Sequence, residues 1–586
     1  MAFRLRRMPP VFAALRSSLL IGGLGLAACT APGYPFDPLA DARIAAPIRL
    51  EESGTAGAYL AGRFALQEGD YATALRFYRQ ALAEQPDDLE LRRRVFILEI
   101  ETGRFEDALV SARELVELGP RLSEVHMVLA IDALRRGAWS RARAHLEKIG
   151  RRGVLGMARP MLLAWATYAG EGAHAALDRL EEEDRGEGLI RLHAYHRAMM
   201  LILAGNFTEA VTLLREHVRP GEIAPTRMVQ ALAYALQETG RSEEALALLR
   251  DQDLDRSDNP RLAALERRLS AGGEVGPPFA DPEGGMADVL LGLAQALQDQ
   301  NIDERSLVLA RLATFIRSEL DEAWFLIARL ALAREQPALA VEALSRIPPD
   351  SPWAWRARLL EADALVEAGD RTEAVRLLRR MAREDPTRID ALVALGDLFR
   401  RDEDYARAEA AYREAIARLS EVTPRYWRLF YVHGITLERT DRWPEAEKAF
   451  LRALELQPDQ PFVLNYLGYS WVDQGLELER AKDMLHRAVE LRPNDGFIVD
   501  SLGWAYYRLG DYDKAVEYLE RAVELEPGDP VINDHLGDAY WRVGRIREAR
   551  FQWRRALTLE PEEEELVGEI RRKLRSGLEE TDPHRG

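Results

Sequence analysis

Among 586 residues there is one cysteine, Cys29, in the run LGLAACTAP at residues 24–32. A lone thiol cannot close an internal disulfide, and without a Cys or His partner beside it, it is a poor metal ligand. The chemistry left to it is modification of the sulfur itself. His193 and His196 in RLHAYHRAMM lie one helical turn apart, on one face, where two imidazoles can share a metal. Two ligands do not close a zinc site and no third lies nearby, so the pair reads as ordinary helix residues and no metal or other cofactor is assigned. The zinc-peptidase pattern H-E-x-x-H, the phosphate-cradling G-x-x-x-x-G-K-[ST] and the nucleophile elbow G-x-S-x-G do not occur. The acid runs EEED (Glu181 to Asp184) and EEEE (Glu562 to Glu565) read as solvated helix ends. No catalytic residue is assigned, and the chain reads as a non-enzyme.

The elements around Cys29 say more than the residue alone. Arg4, Arg6 and Arg7 form a basic start, and an apolar run from Val11 to Leu26 follows, interrupted only by Arg16, Ser17 and Ser18. That run is short for a bilayer span and has the layout of a secretory signal peptide, residues 1–28, with small Ala27 and Ala28 at its end. The sequence Leu26-Ala27-Ala28-Cys29 resembles the lipobox of bacterial lipoproteins. The resemblance implies acylation of Cys29, which then becomes the new N-terminus. Each buried methylene adds about 0.8 kcal/mol of membrane affinity, so several acyl chains anchor stably. Thr30, in place of the aspartate that retains many lipoproteins at the inner membrane, implies the outer membrane, on its periplasmic side. Pro32, Pro35 and Pro38 with little hydrophobic periodicity make residues 29–57 an extended tether.

A net charge of −18 disfavours nucleic acid, whose binding depends on neutralising phosphates, and also an electrostatic hold on anionic lipid. With 47% apolar residues the chain can bury cores, yet no later segment is apolar enough for a membrane span.

Self-similarity organises the rest. Glycine–alanine pairs five residues apart fall at Gly69/Ala74, Gly103/Ala108, Gly137/Ala142, Gly170/Ala175, Gly205/Ala210 and Gly240/Ala245, with successive alanines 33 to 35 residues apart. The period returns at Ala340, Ala374, Ala408, Ala446, Ala481, Ala515 and Ala549, with a weaker unit at Ser306 and one long step that holds the insertion SEVTPR before Tyr426. In the clearest unit, residues 500–530, Leu502, Gly503, Tyr506 and Leu509 recur at helical spacing, Gly510 and Asp511 turn the chain, and Ala515, Leu519 and Ala522 line a second helix. Gly503 and Ala515 lack bulk, so two antiparallel helices can approach closely. Period and residues resemble the tetratricopeptide repeat. The resemblance implies an all-α superhelical solenoid of antiparallel helix pairs. Residues 58–269 read as an N-terminal arm, the Gly/Pro-rich segment 270–285 as a linker or as a loop within one continuous solenoid, residues 286–561 as a C-terminal arm, and 562–586 as a capping helix and tail with Leu566, Ile570 and Leu574 along one stripe.

Tetratricopeptide arrays bind proteins on the face formed by their first helices, and the family resemblance carries that expectation to this chain. In the last units that face takes in Tyr469, Asp500, Trp504, Tyr507, Arg508, Asp534, Asp538, Trp541 and Arg542, residue types that dominate binding hot spots, with Trp504 and Trp541 reading equally as core between helices and Asp500 and Asp534 expected to orient the arginines. The signal layout together with LNYLGY (464–469), DSLGWAYYRLG (500–510) and HLGDAYWRVG (535–544) resembles a group of outer-membrane lipoproteins. Members of that group act as adaptors for a periplasmic C-terminal processing protease and deliver cell-wall hydrolases to it. The implied role is a membrane-anchored scaffold for periplasmic proteins. An assembly factor for outer-membrane biogenesis or polysaccharide export is the alternative.

Overall fold

The computed structural model describes residues 54–119, 122–183, 189–219, 221–252, 259–300, 303–561 and 563–578. The signal segment, Cys29 and nearly all of the tether lie outside them. The described residues form thirty α-helices and no strand, as expected. None of these helices is long and apolar enough to cross a membrane.

Most of the repeat turns among the described residues are built the same way. Gly510 has φ +82°, and the next amide, Asp511 N–H, donates to the Tyr506 carbonyl at 3.0 Å. Asp70, Arg104 and Ala138 donate likewise to the carbonyls of Ala65, Glu99 and Ala133. This is a Schellman closure, which satisfies the last carbonyls of one helix and reverses the chain at a left-handed residue. Asp511 then caps the following helix, its carboxylate accepting from Lys514 N–H. Where the first helix carries a glycine at the crossing, as at Gly62, Gly396, Gly434, Gly503 and Gly537, it faces a large residue of the second. A Cβ on Gly503 would lie 2.7 Å from Leu519 Cγ, and one on Gly537 2.5 Å from Trp553. Ala515 is fully buried.

One turn departs from the expected register. Gly170 lies inside the helix Val154–Glu171, the left-handed residue is Gly172 at φ +87°, and the fully buried alanine is Ala176 and not Ala175. Ala142, Ala176 and Ala210 are then evenly spaced. Ser306 takes the alanine position of the weak unit, buried with its hydroxyl donating to the Ala294 carbonyl at 2.8 Å.

The chain divides into two units, at Leu378/Arg379 within the helix Arg371–Glu384. In the first unit the first helices Leu89–Glu101, Ser123–Arg135, Val154–Glu171 and Ile190–Leu203 do not present an open face. The pair Pro282–Gln298 and Asp303–Ile316 covers it, the former packing on Val154–Glu171 and Ile190–Leu203, the latter on Leu89–Glu101 and Ser123–Arg135. Residues far apart in sequence hold this arrangement. Arg311 Nε donates to the Glu101 carbonyl at 3.1 Å, Arg334 to the Tyr71 hydroxyl at 3.0 Å, and the rings of Phe105 and Phe315 are 4.9 Å apart.

The segment 270–285 lies inside the first unit, with Val275 1% exposed, the Phe279 ring edge-on to Trp165 at 5.3 Å, and Gly285 so close to the Trp165 indole that a Cβ would overlap it. Apolar burial and the glycines' tight approach give this non-periodic stretch a fixed course. The second unit runs from the end of Arg371–Glu384 through helix pairs to Pro530–Arg542 and Ile546–Thr558, and ends in the cap helix Glu564–Ser576. SEVTPR forms a longer connection that enters a short 3-10 turn, Pro424–Tyr426.

Candidate partner-binding site

The nine predicted residues sit on the first helices Pro461–Gln474, Gly496–Arg508 and Pro530–Arg542 of the second unit. The structure brings them together but draws most of them inward. Tyr469, Asp500, Trp504, Asp534 and Asp538 are buried, Tyr507, Trp541 and Arg542 half-buried, and Arg508 exposed.

Two carboxylates of that row meet a cation that the sequence reading did not connect with them. Lys573 Nζ, from the cap helix, donates to Asp534 at 2.7 and 2.9 Å and to Asp538 at 2.8 Å, with Glu569 3.6 Å away. Asp538 also accepts from Trp553 Nε1 at 2.9 Å. Burial works to lower Lys573, but Asp538 and Asp534 overcome it and raise its pKa. Burial and then the neighbouring Asp538 push Asp534 up to about 6. Three carboxylates around one ammonium leave the group short of positive charge.

Asp500 is committed elsewhere. Its oxygens lie 3.0 and 3.1 Å from His535 Nδ1, which therefore carries the proton, and the His535 ring stacks on Trp504 at 4.1 Å. Trp504 stacks in turn on Tyr507 at 4.6 Å. The expectation that Asp500 and Asp534 orient the arginines does not hold, because His535 and Lys573 reach them first. Arg542 Nε instead donates to the Tyr507 hydroxyl at 3.3 Å, and Arg508 pairs with Asp473 at 3.5 Å. Trp541 lies against Trp553, ring centroids 5.4 Å apart, and against Gly577 at the end of the cap. What this end offers a partner is Arg508, flanked by Tyr507, Arg542 and Trp541, over a floor of paired but net-acidic charges.

In the first unit, His193 and His196 do not converge on a common ligand. His196 is fully buried and its Nδ1 accepts from Trp165 Nε1 at 3.1 Å, so Nε2 carries the proton and points toward Asp288, 4.0 Å away. Burial holds its pKa well below the usual histidine value, which leaves it neutral. Beside it lies an ion cluster absent from the sequence reading. Arg227 pairs with Asp288 and with Glu322 (Nε to Oε2, 2.8 Å), and Arg261 approaches Glu322 at 3.5 Å. Burial acts to raise Glu322, and the two arginines more than reverse it. The cluster ties Thr226–Glu238 to Pro282–Gln298 and Asp321–Ala333. Its members are ordinary charged positions 27 to 95 residues apart, and no local pattern signals them.

Profiles of the tetratricopeptide repeat match residues 65–131, 192–216, 231–251, 325–389, 359–422, 393–461 and 500–529. The general transcriptional corepressor ssn6 of Schizosaccharomyces pombe is 28% identical over 139 residues, which are 24% of this chain and 12% of that protein. A TPR repeat-containing protein of Pseudomonas aeruginosa is 26% identical over 167 residues, 28% of either chain. The matches thus span less than a third of both relatives. Among solved structures, a chain of the APC/C Cut9–Hcn1 hetero-tetramer is similar at 17% identity and a TM-score of 0.36, covering 88% of this chain and 98% of that one. Yeast Tom70 is similar at 14% identity and a TM-score of 0.32, covering 89% and 97%.

Proposed function

Starting from a chain that is a tetratricopeptide-repeat protein, of a fold that serves as a protein-binding scaffold and is typically non-catalytic, we propose that it is a lipid-anchored adaptor on the periplasmic side of the outer membrane. It recruits a C-terminal processing protease and brings cell-wall hydrolases to it. The observation that carries this reading is the lipobox-like Leu26–Cys29 ahead of a repeat array with the motifs LNYLGY, DSLGWAYYRLG and HLGDAYWRVG. The partner meets the second unit around Arg508, Arg542, Tyr507 and Trp541. In support, the corresponding face of the first unit is covered by the chain's own helices.

The test is affinity capture of the full chain from detergent-solubilised membranes, beside Cys29→Ser, Arg508→Ala and Arg542→Ala. Cys29→Ser should leave the membrane fraction; retention as full as the parent's would remove the anchor. The parent should bring down a processing protease, and a capture holding only envelope-assembly or export machinery would replace the adaptor reading with the alternative. Truncating a true hot spot costs at least about 2 kcal/mol, some thirtyfold in affinity. Should both arginine variants bind like the parent, this face is not the site.

A further inference from the structure

The last helix pair carries a second surface, on the opposite helix from the row above. Arg542, Arg545, Arg547, Arg550, Arg554 and Arg555 stand against a single acid, Glu548, between residues 542 and 559, in a chain of net charge −18. Three of the six are spoken for: Arg542 by Tyr507, Arg545 by Glu520 and Glu548, and Arg555 by the Pro527 carbonyl. Arg547, Arg550 and Arg554 form no ion pair among the described residues. With Phe551 they fall at i, i+3, i+4 and i+7 of Ile546–Thr558, so they share one helix face. Arg547 and Arg554 are exposed, and Phe551 between them is 59% exposed.

The repeat supplies its own control. Thirty-four residues earlier, Asp513, Val516, Glu517 and Glu520 occupy the places of Arg547, Arg550, Phe551 and Arg554, and one unit before that stand Glu479, Lys482, Asp483 and His486. Among the last three pairs, only the final one is basic on this face and carries an aromatic ring there.

We propose that Arg547, Arg550, Phe551 and Arg554 form a docking surface for a short acidic segment of a partner protein, one bearing an apolar residue that packs on Phe551. The guanidiniums offer planar donors to carboxylates, and the stripe is only about 10 Å long at 1.5 Å rise per residue. Size decides the kind of partner. A short segment feels the patch alone, within a screening length of about 8 Å. An anionic bilayer or a nucleic acid extends past it onto the acidic faces of the two preceding pairs and is repelled there.

The surface is independent of the adaptor reading and lies apart from Arg508. Its test uses the full chain in detergent and a labelled synthetic peptide of glutamates around one leucine, with phosphatidylglycerol/phosphatidylethanolamine vesicles and an oligothymidylate as competing probes. The acidic peptide should bind in a salt-sensitive manner. Arg547→Glu with Arg554→Glu should weaken it at least about tenfold, and Phe551→Ala severalfold, since each exposed pair contributes modestly. Arg508→Ala with Arg542→Ala should leave it unchanged, which separates this result from the fate of the adaptor reading. No binding by the parent, or equal binding by the reversal variant, would overturn the proposal. So would vesicles or oligothymidylate outcompeting the peptide for the same arginines.

Discussion

Lys573 sits among three carboxylates with 3% of its side chain exposed, so replacing it strands Asp534 and Asp538 in the interior. Breaking a buried pair by removing one partner typically costs about 3–5 kcal/mol, and Lys573→Met should lower stability by that order in chemical denaturation. Adding Asp534→Asn and Asp538→Asn to Lys573→Met should recover much of the loss; no recovery would mean that the lysine's packing, not its charge, holds the cap. The same group has a pH signature. Asp534, raised to about 6, binds more protons folded than unfolded between about pH 4 and 6, so its contribution is present at the acid end and lost as pH rises through 6. Denaturation midpoints of the parent should therefore fall relative to Asp534→Asn over that interval, and parallel curves would show an aspartate ionised throughout. The acids of this group were legible in the sequence as a row on one face. Their cation was not, because Arg571, Arg572, Lys573 and Arg575 stand together in RRKLR and only the seating of the cap decides which one turns inward.

At the scale of the helix pair, the small residues are the constraint. Ala515 is fully buried and Gly503 faces Leu519, so Ala515→Leu should cost about 1–3 kcal/mol of overpacking and make the C-terminal pairs protease-sensitive first. Resistance equal to the parent's would mean that the pair can open without loss. The period of these pairs could be read from sequence because one steric requirement repeats: a left-handed turn residue five positions before an alanine. It fails where another residue meets the requirement. Glu335, Glu403 and Asp441 hold the turn at φ 57°, 59° and 60°, where a glycine search finds nothing. In GEGAHAA two glycines and three alanines compete, and the choice of Gly172 and Ala176 rests on how far the long helix Val154–Glu171 extends.

For the molecule as a whole, Arg227 links three helices of the first unit, and Arg227→Ala leaves Asp288 buried beside a neutral His196 and Glu322 with Arg261 alone. A loss of about 3–5 kcal/mol is expected, read as amide-exchange protection falling together in Thr226–Glu238, Pro282–Gln298 and Asp321–Ala333. Loss confined to the first of these would show that the cluster does not couple them. Sequence composition left residues 270–285 open at this scale: glycine and proline report backbone freedom, not what covers the chain, and Trp165 is more than a hundred residues away. That covered face also bears on how the protein is made. In an ordinary solenoid each repeat touches only its neighbours, so structure can begin anywhere and propagate. Here Glu101 waits for Arg311, 210 residues on, and Gly69 for Gln336, 267 residues on. Contacts of such span slow the search, since loop closure must precede their reward. During synthesis, the helices from Leu89 to Leu203 emerge with an apolar interior and no occupant for it, and the first unit completes itself only after residue 336 has appeared. Its maturation is one late event, a time in which the nascent chain must be kept from other apolar surfaces.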